Sequence, residues 1–473
     1  MRPKIRPWIL SVMLLVLVLL NGPLMAADGY VGFRTDGTGA YPDANPVTTW
    51  SAEENVIWAT RMPDTSNSLP VIVNDRLFVC SEPATLVAVD KNTGEILWEA
   101  SNEPADIAPP EDVADLEEKT AEYDRLRGEL GAVNRQRRQV GRRLQDDRDN
   151  VELRQEHAQL TEQRGELIDQ LAPYLDTWYV RPPAHDYNGY SSPTPITDGS
   201  HVWVIFGNGI ASCFDVEGNR VWSRFIEKPP HEWGTSNTPV LADGKLILHI
   251  DVLRALDPLT GEELWAQPDA RWNWGTSWVH EIDGVSLIIT CGGDIVRADS
   301  GEIIASLPDR YEWGSGPFVE DGVLYFIESQ GDGKISRAYR MPESVDDPFE
   351  PELLWEAVPE ENRYYASPVI HEGLIYAIHR HNVLTCLDAE TGEIVYEETL
   401  NLGRGDVFAS VVLAGEYLIV THENGTSIVF EPGREFTEIA TNHLGDMVRS
   451  TPIFDGDRMY VRGYENLYCI GPD

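Results

Sequence analysis

Residues 86–100 read LVAVDKNTGEILWEA. Leu86 to Val89 is an apolar run with β-branched residues, and Asp90-Lys-Asn-Thr-Gly94 interrupts it. An aspartate side chain can bond backbone amides just ahead of it, and glycine accepts the positive φ of a tight reversal. Glu95 to Trp98 then reads as the returning strand. The same hairpin recurs as CFDVEGNRVWSR from Cys213, ALDPLTGEELWAQ from Ala255 and CLDAETGEIVYEE from Cys386. Repetition at a steady spacing points to a repeat architecture rather than to isolated hairpins.

A second type of hairpin precedes these copies. It appears as LPVIVNDRLFV from Leu69, TPITDGSHVWV from Thr194, TPVLADGKLIL from Thr238 and WVHEIDGVSLI from Trp278. GPFVEDGVLYF from Gly316, SPVIHEGLIYA from Ser367, SVVLAGEYLIV from Ser410 and TPIFDGDRMYV from Thr451 bring the starts to eight. Their turn glycines, from Gly244 to Gly456, lie 38 to 51 residues apart. Four strands in a unit of that length make a propeller blade. The expected fold is all-β, an eight-bladed β-propeller of four-stranded blades. Seven blades is the alternative if the weak copies near Ser300 and Gly433 merge. The eighth copy lacks a fourth strand, and Glu54-Asn-Val-Ile-Trp58 matches Gly94-Glu-Ile-Leu-Trp98. Trp58 is therefore expected to complete the last blade and close the ring.

The pattern Ala-x-Asp-x-x-Thr-Gly-x-x-x-Trp resembles the repeat of the PQQ-like (pyrroloquinoline quinone) propeller superfamily. That superfamily includes quinoprotein dehydrogenases and the non-enzymatic outer-membrane assembly factor BamB. The resemblance covers residues 50–473 apart from one insertion. It implies that Trp98, Trp222, Trp265 and Trp355 dock neighbouring blades, that Trp58 fills the same slot in the last blade, and that Tyr396 stands in for another. The copies near Ile303 and Phe436 lack this residue. The dehydrogenase pattern also includes adjacent cysteines and a calcium site, and this chain has no adjacent cysteines.

Residues 1–26 read as an export signal: Arg2, Lys4 and Arg6, an apolar run from Trp8 to Leu20, then Leu24-Met-Ala-Ala. A run of thirteen residues, all but Ser11 apolar, is short for a membrane span. Cleavage is expected near Ala26, leaving no transmembrane segment and a soluble periplasmic or cell-envelope protein, with a retained anchor as the alternative. Residues 27–53 form a lead-in, 54–100 the closing strand and first blade, 101–182 an insertion with its flanking loops, and 183–473 the remaining blades. A net charge of −41 argues against nucleic acid as a partner, because polyanion binding rests on phosphate neutralisation. The five cysteines include no Cys-x-x-Cys spacing. Cys213, Cys386 and Cys469 occupy the slot that Ala88 and Ala255 fill elsewhere, so they read as small buried residues.

The β pattern disappears between the first two copies. Tyr123, Leu126, Leu130, Val133, Val140 and Leu144 follow a three-four spacing, which resumes at Leu153, Leu160, Leu167 and Leu171. Helices over about 112–145 and 151–172, folded as an antiparallel coiled-coil hairpin, are expected. Asn134 to Arg143 holds Arg135, Arg137, Arg138, Arg142 and Arg143 without one acidic residue. These arginines can meet an anionic partner or pair with acids on the facing helix.

Nucleotide-loop, zincin and serine-hydrolase motifs are absent. His379 and His381 alternate along a strand as a possible metal pair. A short aromatic motif precedes several first strands: Glu232-Trp233-Gly-Thr-Ser, Asn273-Trp274-Gly-Thr-Ser and Glu312-Trp313-Gly-Ser-Gly. Related forms are Asn188-Gly-Tyr190, Tyr364-Tyr365-Ala-Ser, Val407-Phe-Ala-Ser and Met447-Val-Arg449-Ser. First strands line a propeller's channel, so these residues are expected to ring its mouth as a ligand pocket. The reading that results is an exported, non-catalytic binding scaffold without a cofactor or catalytic residue. Its partner is an envelope protein held by the arm or the mouth. The ring is expected to be monomeric, with self-association through the arm as an option. The alternatives are a PQQ- and calcium-dependent or relict oxidoreductase, and a small-molecule or glycan sensor.

Overall fold

The computed structural model describes residues 31–308, 315–330, 335–346 and 348–472. The expected export signal, residues 1–26, lies outside the described residues, as do Glu312 and Trp313. Eight antiparallel sheets follow one another around a central channel. Blade 1 consists of strands Val71–Val73, Arg76–Ser81, Thr85–Asp90 and Ile96–Ser101. Blades 2 to 7 begin at Ile196, Val240, Trp278, Phe318, Val369 and Val412. Blade 8 takes three strands from the end of the chain and its fourth from Val56–Arg61, which pairs with Asn466–Ile470. The ring is therefore closed by both ends of the repeat region, and no blade is left with an unpaired inner or outer partner at the seam.

The repeated turn does what its residues dictate. Asp90 Oδ1 accepts from the amides of Asn92 and Thr93, both at 2.9 Å, and Gly94 turns the chain with φ 77°. Those amide bonds, that of Thr93 foremost, hold the Asp90 carboxyl below its ordinary range. The tryptophan that follows reaches out of its own blade. Trp98 Nε1 donates to Val216 O at 3.3 Å, Trp222 to Pro258 O at 2.8 Å and Trp265 to Ala298 O at 3.0 Å. Trp355 donates to Ala389 O at 2.9 Å, and Trp58 to Lys91 O at 3.2 Å across the seam. Tyr396 packs on Phe436 of the next blade instead, with ring centroids 6.5 Å apart.

Within each blade the tryptophan also explains the small slot. Ala88, Cys213, Ala255, Ala338 and Cys469 are the cross-strand partners of Trp98, Trp222, Trp265, Trp355 and Trp58. An indole leaning across the sheet leaves room for only a small side chain opposite. All eight blades carry a register shift between their third and fourth strands beside this position. Such bulges increase local twist, which suits radially packed blades.

Two segments depart from the blade pattern. The lead-in enters the channel. Val31 bridges Thr197 of blade 2, and Ala40–Tyr41 pairs in parallel with Val412–Ala414 on the inner edge of blade 7. Between them, buried Arg34 has φ 54°, and its Nη2 donates to Thr38 O at 2.7 Å and Val411 O at 3.1 Å. Burial pushes its guanidinium down to about 10.

The insertion comprises a short helix α1 (Pro104–Ile107), then α2 (Val113–Asp146) and α3 (Val151–Leu175), which pack against each other. Tyr123, Leu126, Val133 and Val140 of α2 meet Leu153, Leu160, Leu167 and Leu171 of α3 in a core of their own. The 34 residues of α2 extend about 50 Å at 1.5 Å per residue. Asn150 caps α3 by accepting from Leu153 N at 3.0 Å. The fourth strand of blade 1 ends, and the first strand of blade 2 begins, at the same face of the ring, so the arm rises from that face. Among the described residues no helix is long and apolar enough to cross a membrane.

Candidate binding site at the channel mouth

The inner ends of the blades are tied by side-chain hydroxyls. Leu69 N donates to Thr194 Oγ1 at 3.3 Å, Thr194 N to Thr238 Oγ1 at 3.1 Å, and Thr238 N to Thr276 Oγ1 at 3.4 Å. Ser367 N donates to Ser410 Oγ at 3.1 Å, and Ser410 N to Thr451 Oγ1 at 2.8 Å. Each hydroxyl thus satisfies the amide of the same position one blade back. Three of the five hydroxyls, Thr194, Thr238 and Thr451, come from the Thr-Pro pairs that open repeats, and Thr276 and Ser410 hold the same position without the proline.

Above the ring lies a cavity of about 160 Å³. Phe33 of the lead-in reaches it from within the channel. Its roof is the chain returning from the arm. Asn67 Nδ2 donates to Tyr187 O, and Asn188 Nδ2 donates to Trp233 O at 2.8 Å. His185 stacks on Trp233 with centroids 4.0 Å apart. Glu82 anchors the next residues by accepting from the amides of Tyr190 and Ser191, both at 2.8 Å. From the far side Arg449 reaches under this strap. Its guanidinium lies 4.8 Å from the ring centres of both Tyr187 and Phe408 and 5.3 Å from that of Tyr464. Its Nη2 meets Glu423 Oε2 at 2.9 Å, and its Nη1 donates to Tyr187 O at 3.3 Å. Tyr365 stacks on Phe408 at 5.3 Å.

The structure brings Asn188, Trp233, Trp274, Tyr365 and Arg449 together around this cavity. It places other expected residues elsewhere. Glu232 is exposed on the rim. Asn273 is buried behind the wall, where its Oδ1 accepts from Trp274 N at 2.6 Å. Tyr364 is buried, and its hydroxyl bonds Glu360 O at 3.2 Å. Tyr190 faces the crevice at the base of the arm, its hydroxyl on Pro182 O at 2.8 Å. Successive residues at the mouth alternate between cavity and wall, so each motif contributes about one side chain. Phe33, Asn67, Tyr187 and Phe408 line the cavity without having been singled out. Phe408 sits inside a recurring motif and was legible there, and Asn67 holds the same position two residues before Leu69; Phe33 and Tyr187 belong to no repeat.

His379 and His381 fall in the turn after Leu374–Ile378 rather than on a strand. Among the described residues no group of three His, Cys, Asp or Glu is placed to hold a metal. The cavity's described lining contains no carboxylate, so its donor set does not fit a quinone bound with calcium. All five cysteines are buried and unpaired.

On the arm, Arg135, Arg138, Arg142 and Arg143 are exposed, and among the described residues their side chains carry no ion pair. The acids of α3 do not reach them. Arg135, Arg138 and Arg142 share one helix face at spacings of three and four residues. Arg137 lies on the other side of the helix and is half-buried.

A family model described as outer membrane protein assembly factor BamB matches residues 43–249 and 347–435, more than half of the chain. The chain belongs to the BamB family. BamB of Moranella endobia (strain PCIT) is 22% identical over 253 residues, 48% of this chain and 59% of that protein. The chain thus spans less than two thirds of this curated relative. The crystal structure of BamB from Moraxella catarrhalis superposes with a TM-score of 0.53 at 11% identity, covering 88% of this chain and 97% of that one. The computationally designed Ika8 protein gives 0.52 at 9% identity, over 87% and 98%. A designed protein that superposes as well as a natural BamB shows that this likeness is one of fold, and function has to be argued from sites.

Proposed function

We propose that this protein is an exported, non-catalytic scaffold of the cell envelope that holds a protein partner through its helical arm. It would serve assembly at the outer membrane, as the family name describes. The observation that carries this reading is the arm itself: about 50 Å of helix with four exposed, unpaired arginines on a chain of net charge −41. The Debye length is about 8 Å at physiological salt, so the arm sets its arginines beyond the reach of the acidic ring. An acidic partner surface complements that face and gains on-rate and register from it.

The test compares three proteins in affinity capture from envelope extract: the intact chain, one with residues 111–172 replaced by a Gly/Ser linker, and R135Q/R138Q/R142Q/R143Q. Loss of the same partner in both variants, with capture by the intact chain weakening as salt rises, supports the reading. Retention of every partner by both variants overturns it.

A further inference from the structure

The five hydroxyls of the inner ring are only half used. Thr194, Thr238, Thr276, Ser410 and Thr451 each accept one backbone amide, and none has an acceptor for its own proton among the described residues. All five line the axial cavity. Its described lining has no aspartate, glutamate, lysine or histidine, on a chain with 78 acidic residues. Arg449 is already matched by Glu423, so recognition falls to the hydroxyls. The cavity therefore offers several convergent O–H donors.

We infer that the axial cavity is a binding site for a small organic monocarboxylate, with the carboxylate on the hydroxyl ring and the body between the aromatic side chains above. An ionised carboxylate is an acceptor-only group with about four lone-pair directions, the complement of a ring of donors. O–H···O⁻ bonds are among the stronger hydrogen bonds. A cavity of roughly 150 Å³ is known to hold one benzene ring, which sets the size of the ligand body. Phe33 lines the cavity from the lead-in and Tyr187 from the strap that returns from the arm.

The test uses the full mature chain at pH 7 with three probes of one shape: benzoate, benzyl alcohol and benzylamine. Binding is read by calorimetry and by the change in total tryptophan fluorescence, to which Trp233 and Trp274 at the cavity contribute. Benzoate is expected to bind once per chain and at least tenfold more tightly than benzyl alcohol, and benzylamine to give no saturable signal. Ser410→Ala, checked for folding by its thermal melt, is expected to weaken benzoate at least fivefold. No binding of benzoate, or equal binding of the alcohol or the amine, overturns the inference. If Ser410→Ala melts early, the probe series on the natural chain decides alone.

Discussion

Trp98 of blade 1 lies flat against Gly218 in the turn of blade 2, so close that a Cβ at Gly218 would come 2.8 Å from the indole. The same contact joins Trp222 to Gly261, Trp265 to Gly301, Trp355 to Gly392 and Trp58 to Gly94. Each of these glycines also has a positive φ, from 68° to 92°. One residue type therefore serves the turn of its own blade and the docking of its neighbour. Gly218→Ala meets both penalties, a left-handed backbone and a clash with a packed ring. It is expected to destabilise the protein by about 2–4 kcal/mol. Trp98→Phe keeps an aromatic ring but loses the bond to Val216 O, and about 1 kcal/mol is expected. Urea denaturation of the two variants beside the natural chain checks the order.

The seam makes a sharper demand. Trp58 belongs to a strand that is distant in sequence from its sheet yet bonds Lys91 of blade 1 and pairs with Cys469 of blade 8. Removing residues 43–61 leaves Asn466–Ile470 as an open strand edge, a template for pairing with other chains. Light scattering after gel filtration should then show concentration-dependent association, and a monomer at all concentrations would contradict this account of closure.

Acid sensitivity should centre on His249. The imidazole is fully buried in blade 3, and burial pushes it down to about 4 against the opposing pull of the Ala270 backbone and Asp294. A histidine depressed in the folded state binds its proton more readily when unfolded. Its stability contribution is intact above the unfolded value of about 6.5 and is lost as the pH falls toward 4. The full shift corresponds to about 3 kcal/mol. His249→Gln should flatten that part of the stability curve relative to the natural chain, measured by denaturation between pH 7 and pH 4.

The cysteines should be silent. Burial pushes Cys80, Cys213 and Cys386 up to about 12 and Cys469 up to about 11, and it raises Cys291 as well. Thiolates are the reactive species, so none of the five should be modified while the ring is folded. Ellman's reagent should count no thiol in buffer and five in denaturant under reducing purification.

The arm should be separable. Its apolar core contains residues of the insertion alone, and it meets the ring through contacts such as Lys228 Nζ donating to Leu175 O at 2.7 Å and Trp178 beside Phe225. Replacing residues 111–172 with a linker is expected to leave the ring's melting temperature within a few degrees. A large fall would show that the arm supports the fold.

The hairpins, their number and the seam were legible because each is written locally: an aspartate, a glycine and a tryptophan at fixed offsets, repeated until the period declares a ring. The apolar spacing from Tyr123 to Leu171 declared the helical hairpin in the same way. Part of the mouth was legible too, since Trp274, Tyr365 and Arg449 recur two residues before Thr276, Ser367 and Thr451, and Trp233 stands in a related aromatic motif. Three things required the tertiary structure. Phe33 and Arg34 fill the channel, Tyr187 roofs it, and the hydroxyls of the inner ring join blade to blade. In each case the sequence does not name the partners, because they are brought together only when the ring closes. Periodicity reports what a segment does with its own neighbours, and the channel is made of residues whose partners are up to hundreds of positions away.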